Sequence, residues 1–376
     1  MIVCDVIIPI WNQRERTQRC LESVLRNTAL PIRLILIDNG SEPETRDWLE
    51  TFTSQKPLPV ELLRNAENLG FIQAVNQGIR SSKNPWVCLL NNDTIVTSGW
   101  LAEMIRVAEA NPLVGLVNPT SNSLGFQPRG LTPSGPLGVR PLQVLEAYAS
   151  SLKADSGRWS ELTTALGFCL LARRKLFDQI GLLDEGYGMG NFDDDDLSRR
   201  VRQTGLLCVR AAGAYVFHEE KVSFRKLPDW KKDFDENRRR FHEKWGRSLR
   251  ILWERMTVPY EVPGLILAPS SDLSAAIQLA REGHWVYLLT PVTELPRAVS
   301  SQAQISRKPL KARHWRLPAL WRVLAKRKKP FDLVVTNDPR WARWLKRLHR
   351  FHRAKVLENR STEEILSECR NLSRSL

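Results

Sequence analysis

No run of apolar residues in this 376-residue sequence approaches the ~20 needed to cross a bilayer as a helix. The chain also lacks the opening of a secretion signal. Met1 leads directly into an alternating strand that contains Asp5, with no basic segment ahead of it, which predicts a cytoplasmic protein. Cysteine is scarce and unpaired in spacing: Cys4, Cys20, Cys88, Cys169, Cys208 and Cys369 form no CxxC, which predicts reduced thiols packed as small hydrophobes and neither disulfide nor zinc. A G-x-G phosphate loop after the first strand is missing too, which argues against a nucleotidyltransferase. What is present is ordinary for a globular chain, 42% hydrophobic and 26% charged residues, at a length suited to two domains.

The net charge of +15 is unevenly placed: residues 1–250 hold 33 Lys/Arg against 30 Asp/Glu, and residues 251–376 hold 23 against 11. The boundary is therefore expected at 250/251. In the first part, apolar strands at Val3–Pro9, Arg33–Ile37, Val60–Leu63 and Trp86–Leu90 alternate with amphipathic segments at Thr17–Arg26, Pro43–Phe52 and the stretch ending at Ile79. Repeated βα units predict an α/β fold with a mostly parallel sheet, whose ligands collect beyond the carboxyl ends of the strands. Asp38, Asp93 and His218 all fall at such ends. Residues 121–160 read as a long Gly/Pro/Ser-rich loop with a helix at Leu142–Ser151, followed by a strand at Gly167–Ala172 and strands near Leu207–Arg210 and Tyr215–His218.

Four consecutive aspartates, Asp193–Asp196, open a helix. They either complement the helix dipole or supply a general base, since crowded carboxylates resist joint ionisation. Asp38 likewise has two readings, an Asx turn or an acceptor for the N3–H of a pyrimidine base. Trp11, Trp100 and Trp159 are candidates for stacking on a sugar ring.

In order along the chain, Val6-Ile7-Ile8-Pro9-Ile10-Trp11-Asn12, Ile37-Asp38-Asn39-Gly40-Ser41, Asn65 with Asn68-Leu69-Gly70-Phe71 through Asn76, Leu90-Asn91-Asn92-Asp93, Phe192-Asp193-Asp194-Asp195-Asp196-Leu197 and Phe217-His218 resemble the motifs of family 2 glycosyltransferases of the GT-A fold. The resemblance covers residues 1 to about 245 and implies an inverting, metal-dependent hexosyl transfer from a UDP- or dTDP-sugar to a glycan or lipid-linked acceptor, as in polysaccharide or cell-envelope biosynthesis. It implies donor binding by Pro9, Trp11, Asn12, Asp38, Asn65, Asn68, Gly70, Asn76, Asn91 and Asn92. It further implies a divalent cation, Mn²⁺ or Mg²⁺, on Asp93 and His218, with Asp194 as base and Asp193 beside the acceptor. Asp196 is expected to pair with Arg199 or Arg200. The sequence departs from the family pattern at Asn91, which replaces the first acid of the DxD metal motif. That departure motivates the alternative of a non-catalytic nucleotide-sugar or glycan-binding protein.

The last third restarts an α/β pattern, with strands at Gly264–Ala268, Trp285–Leu289 and Asp332–Thr336 and a helix at Arg340–Arg353. Three strands make half of a doubly wound domain, a partial Rossmann-like module that faintly resembles the N-terminal half of a GT-B glycosyltransferase. Its Trp-interleaved basic segments suit anionic lipid headgroups at the inner face of the membrane, a solvated or protein-contacting face, or nucleic acid; of these, membrane contact is expected and nucleic acid is not.

Overall fold

The computed structural model describes residues 2–55, 58–122, 142–219, 230–254, 271–290, 304–309, 316–325 and 330–375. They form two compact units, Met1–Arg240 and Phe241–Leu376, divided inside the helix Trp230–Trp245 and so ahead of the expected 250/251 boundary. The first unit begins with β1 (Cys4–Ile10), α1 (Arg14–Asn27), β2 (Ile32–Asn39), α2 (Pro43–Ser54), β3 (Val60–Asn65), α3 (Phe71–Ser81) and β4 (Trp86–Leu90). Then follow β5 (Thr94–Val96), α4 (Trp100–Ala110), β6 (Val114–Thr120), α5 (Leu142–Ser151), β7 (Trp159–Glu161), β8 (Cys169–Arg173), α6 (Arg174–Ile180), α7 (Asp193–Gln203), β9 (Leu207–His218) and α8 (Trp230–Trp245).

Among the described residues the sheet runs β3-β2-β1-β4-β8-β6-β9-β5, with β7 beside β9. Strands β1 to β4, β6 and β9 point one way, and β5, β7 and β8 the other. The buried strands read as continuous apolar runs because helices cover both faces: in β1, Val6, Ile7, Ile8 and Ile10 are all inaccessible. Helix α3 lies so close to β1 that a Cβ at Gly78 would stand 2.4 Å from Ile7 Cγ2. Since β1 is flanked by both β2 and β4, the strand order reverses there, and the rim beyond Ile10, Asn39 and Leu90 is the topological switch point.

The structure departs from the expected elements where local pattern is weak. Strand β9 is continuous where two strands were expected; a register shift opposite Pro119/Thr120 lets it pass the Ala-Ala-Gly-Ala stretch without breaking. Residues 123–141 of the expected loop lie outside the described residues, and Trp159 sits in a short strand at its far end. Trp100 is a core residue, 1% exposed, and donates its indole N–H to Thr28, so it is withdrawn as a sugar-stacking candidate. All six cysteines are buried and free.

The second unit contains β10 (Arg250–Glu254), α9 (Ser271–Arg281), β11 (Trp285–Thr290), β12 (Ile305–Pro309), α10 (Arg316–Leu324), β13 (Leu333–Thr336), α11 (Pro339–Arg347), α12 (His349–His352), β14 (Lys355–Glu358) and α13 (Thr362–Ser375). Among the described residues it has five parallel strands in the order β12-β11-β10-β13-β14, more than the three expected. Strand β10 forms the centre from Ile251-Leu252-Trp253, which flanking arginines disguise as the end of a charged helix. The expected strand Gly264–Ala268 lies outside the described residues. The expected helix Arg340–Arg353 is two helices, α11 and α12.

One buried carboxylate ties the amino ends of the first sheet together. Asp5, fully buried on β1, accepts from Arg33 Nε at 2.7 Å, from the Asn84 side chain at 2.7 Å and from the backbone N–H groups of Lys83 and Asn84. Burial alone would raise its pKa, but Arg33 and these donors outweigh it and hold the group below the usual carboxylate range. Because the folded-state pKa is depressed, the stabilisation is full above the unfolded value near ~4 and is lost as pH falls through the folded one. Replacing Asp5 with alanine is expected to lower stability by about 3–5 kcal/mol in urea titrations at neutral pH, the loss shrinking in acid.

Candidate active site

The carboxyl ends of β1 and β2 interlock through short polar side chains. Asn12, in the left-handed region at φ 57°, donates its N–H to Ser41 Oγ at 3.0 Å and accepts from the Glu42 N–H at 2.7 Å. Asp38 is 2% exposed; one oxygen accepts from the Ser41 N–H at 3.0 Å and the other lies 3.7 Å from Arg64 Nε. The Asx turn is therefore present. Pro9 and Trp11 are half-buried on the same rim.

The polar residues of the following turn serve one another. Asn39 donates to the Asn68 side chain and Gly70 carbonyl and accepts from Asn65 and the Leu69 N–H, while Asn65 also pairs with Gln77. Asn65 and Asn68 thus shape the turn. At Gly70, φ is 87° and an added Cβ would lie 3.1–3.3 Å from Met189 and Gly188, so this glycine allows two loops to touch. Asn76 is separate from the rim: it is 1% exposed and both ends of its amide bond the backbone of Leu183, which removes it from the donor-contact set.

Past β4, a second corner gathers acceptors. His218 Nε2 lies 3.1 Å from Asp93 Oδ1 and 3.5 Å from the Asn91 amide nitrogen. Asn91 Oδ1 and Asp93 Oδ1 are buried and receive no hydrogen bond. Asn92 turns away to donate to Thr17 at 3.0 Å. Among the described residues no group of three His, Cys, Asp or Glu side chains comes together, as the asparagine at 91 dictates. Even so, two orphaned oxygens beside an imidazole nitrogen form a hard, donor-poor set of the kind a divalent cation satisfies, so the residues fit a cation.

His218 is fixed from three sides. Phe168 stacks on its ring at 4.9 Å between centroids and 10° between planes. The Asn122 side chain copies a strand rung, donating to the His218 carbonyl at 2.8 Å and accepting from its N–H at 2.9 Å. The next residue, Glu219, donates its N–H to the Asp93 carbonyl and grips Arg16 and Arg19 at 2.7 and 2.6 Å. Neither Asn122 nor Phe168 was identifiable as a partner of His218, because side chain to main chain pairing leaves no periodic trace.

The acidic helix α7 starts from a strained loop in which Gly188, Gly190, Asn191 and Phe192 all have positive φ. Asn237 of α8 holds this loop, donating to the Tyr187 and Gly190 carbonyls at 2.8 Å each. Each aspartate then meets a different environment. Asp196 pairs with Arg200 at 2.8 Å, and Asp195 accepts from Thr164 at 2.6 Å. Burial, then the neighbouring Asp195 and Asp196, push Asp193 up to about 6. Burial followed by Asp193 and Asp195 raises Asp194 well above the usual range, against donors from the Asp195 and Gly167 N–H groups. Asp193 is buried, whereas Asp194 remains partly exposed. Turn 167–168 thus joins the two halves of the site: the Gly167 N–H lies beside Asp194 and offsets part of its raised pKa, while Phe168 stacks on His218 and accepts from the Asn91 N–H at 2.8 Å.

Comparisons with known proteins bear on the fold and on the first part of the sequence. By fold, the chain is similar to GalNAc-T7, solved with UDP, GalNAc and Mn²⁺, at a TM-score of 0.52 and 17% identity over 65% of this chain and 49% of that one. The fold is that of the GT-A glycosyltransferases. By sequence, residues 5–181 match the model for glycosyl transferase family 2. Among similar proteins, an N-acetylglucosaminyl-diphospho-decaprenol L-rhamnosyltransferase of Mycobacterium tuberculosis H37Rv is 26% identical over 256 residues, covering 60% of this chain and 79% of that protein. The uncharacterized protein y4gI of Sinorhizobium fredii NGR234 is 28% identical over 232 residues, 58% of this chain, and the chain spans only 24% of its length.

Two predictions follow from the geometry. Asp193 and Asp194 have raised folded-state pKa values, so their stabilising contribution is complete only below the unfolded value and declines as pH rises through the folded one. Asp193→Asn is therefore expected to stabilise the protein at pH 7 by about 1–3 kcal/mol and to flatten the fall in stability between pH 4 and about 6, read by thermal unfolding across pH. Asn122→Ala is expected to weaken Mn²⁺ binding about tenfold or more, measured by the free-ion signal in electron paramagnetic resonance, because His218 loses its rung.

Proposed function

We propose that the chain is an inverting glycosyltransferase that moves a sugar from a UDP- or dTDP-sugar to a hydroxyl of a glycan or lipid-linked acceptor. The observation that carries this reading is the joint placement, by one turn, of a donor-poor Asn91–Asp93–His218 corner and a partly exposed Asp194 whose pKa is raised. A carbohydrate-binding protein has no need of a carboxylate held against ionisation beside such a corner. The relatives support the reading in kind: GalNAc-T7 was solved with UDP, GalNAc and Mn²⁺, and the mycobacterial protein is named as an L-rhamnosyltransferase of N-acetylglucosaminyl-diphospho-decaprenol.

In this mechanism the nucleoside occupies the rim of Pro9, Trp11, Asn12 and Asp38, and the diphosphate points toward Asp93 and His218. A bound Mn²⁺ or Mg²⁺, held by Asp93 and His218 with the Asn91 oxygen, would offset charge on the departing diphosphate. Asp194 accepts the proton of the acceptor hydroxyl as its oxygen forms the new bond to C1 from the face opposite the nucleotide, and the C1–O bond to the diphosphate breaks. A single displacement inverts the anomeric centre. Asp193 orients the acceptor.

Asp194→Asn is expected to keep nucleotide-sugar binding while lowering turnover by about 10²–10⁴-fold, and Asp93→Ala to lose metal-dependent binding. Calorimetry with UDP- and dTDP-sugars in Mn²⁺ or EDTA, beside donor hydrolysis, checks both. If no nucleotide sugar binds under any metal condition, the reading is overturned in favour of glycan binding alone.

A further inference from the structure

We propose that the outward face of helices α10 to α12 in the second unit docks on an anionic lipid bilayer. The proposal stands on that unit alone and is independent of the sugar-transfer reading. Leu317, Trp321 and Phe351 are 65%, 72% and 75% exposed. Leu317 and Trp321 lie one turn apart on the same side of α10, while Ala319 and Val323 fill the core with Trp341 and Leu345. The helix has therefore already buried one stripe, and the exposed one is additional. On α11 the division is equally sharp: Trp341, Ala342 and Leu345 are buried, and Arg340, Arg343, Trp344 and Arg347 face outward.

Charge decides what covers this face. Residues 305–353 contain 16 Lys/Arg and two acids, Asp332 and Asp338. Both acids are engaged: Asp332 by Arg247 and the Arg250 N–H, Asp338 by Arg316 and the Trp341 N–H. Among the described residues Arg322, Arg340, Arg343, Arg347, Arg350 and Arg353 have no acidic partner. A surface of one sign over this breadth calls for an extended polyanion. Nucleic acid would use the arginines and stack on the indoles, but it offers nothing to Leu317. A bilayer surface supplies phosphates to the arginines and an acyl boundary to Leu317, Trp321 and Phe351 together. No described helix is long and apolar enough to cross a membrane, so this contact would be peripheral.

The test is flotation of the full chain with vesicles of phosphatidylcholine alone or mixed with phosphatidylglycerol, beside Trp321→Ala/Phe351→Ala and Arg343→Glu/Arg347→Glu. Wild type is expected to float only with anionic vesicles. Each basic charge near such a surface is worth about fivefold in partitioning, so the charge reversal should lower binding well over tenfold. The aromatic variant should bind severalfold more weakly and, unlike wild type, be stripped by moderate salt. These side chains are exposed, so unchanged thermal unfolding is expected and confirms that both variants fold. The proposal is overturned if wild type ignores anionic vesicles, if the aromatic variant floats as wild type does, or if a single-stranded oligonucleotide displaces wild type from the vesicles and loses affinity for the same variants.

Discussion

The site is organised around oxygen atoms that the protein buries without neutralising. Asn91 and Asp93 each bury an oxygen that receives no hydrogen bond, and the surroundings of buried Asp193 and partly exposed Asp194 resist their ionisation. A chain selected only for stability would replace such groups or bring a cation to them, as it does at Asp5 and Asp196. The contrast within one helix is informative, because Asp196 receives Arg200 and Asp195 receives Thr164, yet among the described residues the two preceding aspartates receive no cationic side chain. Asn91 and Asp93 lie at the carboxyl end of β4, where a parallel sheet leaves its ligand crevice, and Asp193 and Asp194 open helix α7.

Holding unpaired acceptors in place requires that their backbones be over-determined, and buried asparagines do most of this. Asn118 donates to the Leu166 and Cys169 carbonyls and accepts from the Leu166 N–H, fixing the turn that carries Gly167 and Phe168. Asn122 does the same for His218, Asn76 for Leu183 and Asn237 for the loop before α7. Each amide offers a donor and an acceptor, so one side chain can replace a missing strand or turn partner at the edge of regular structure. That explains why irregular segments converge here without fraying.

These clamps also mark how far the sequence could be read. Strands β1, β2 and β4 were legible because burial on both faces makes them continuous apolar runs, and their ends point to Asp38 and Asp93 without further information. His218 was legible by the same rule. Strand β6 was not, since Asn118 and Pro119 interrupt its pattern for reasons that exist only in three dimensions. The Asn65, Asn68 and Asn76 positions drew attention as a cluster, but composition cannot distinguish an asparagine that faces a ligand from one that closes a turn. In the second unit β10 and β14 escaped notice because short strands flanked by Arg and Lys mimic an exposed helix.

The two units also divide their electrostatics in opposite senses. In the first unit, arginines near the site are consumed internally: Arg16 and Arg19 share Glu219, Arg33 meets Asp5 and Arg200 meets Asp196. Near-neutral bookkeeping of this kind leaves the local field to a few chosen oxygens. Among the described residues the second unit instead leaves the arginines of α11 and α12 without acidic partners, and unpaired surface guanidinium groups repel one another and add little to stability. Such a surplus is tolerated because it lies on an exposed face, where water screens it until a polyanion approaches. Its pairing with outward Leu317, Trp321 and Phe351 then becomes the informative feature, since solubility alone would favour charge without exposed rings.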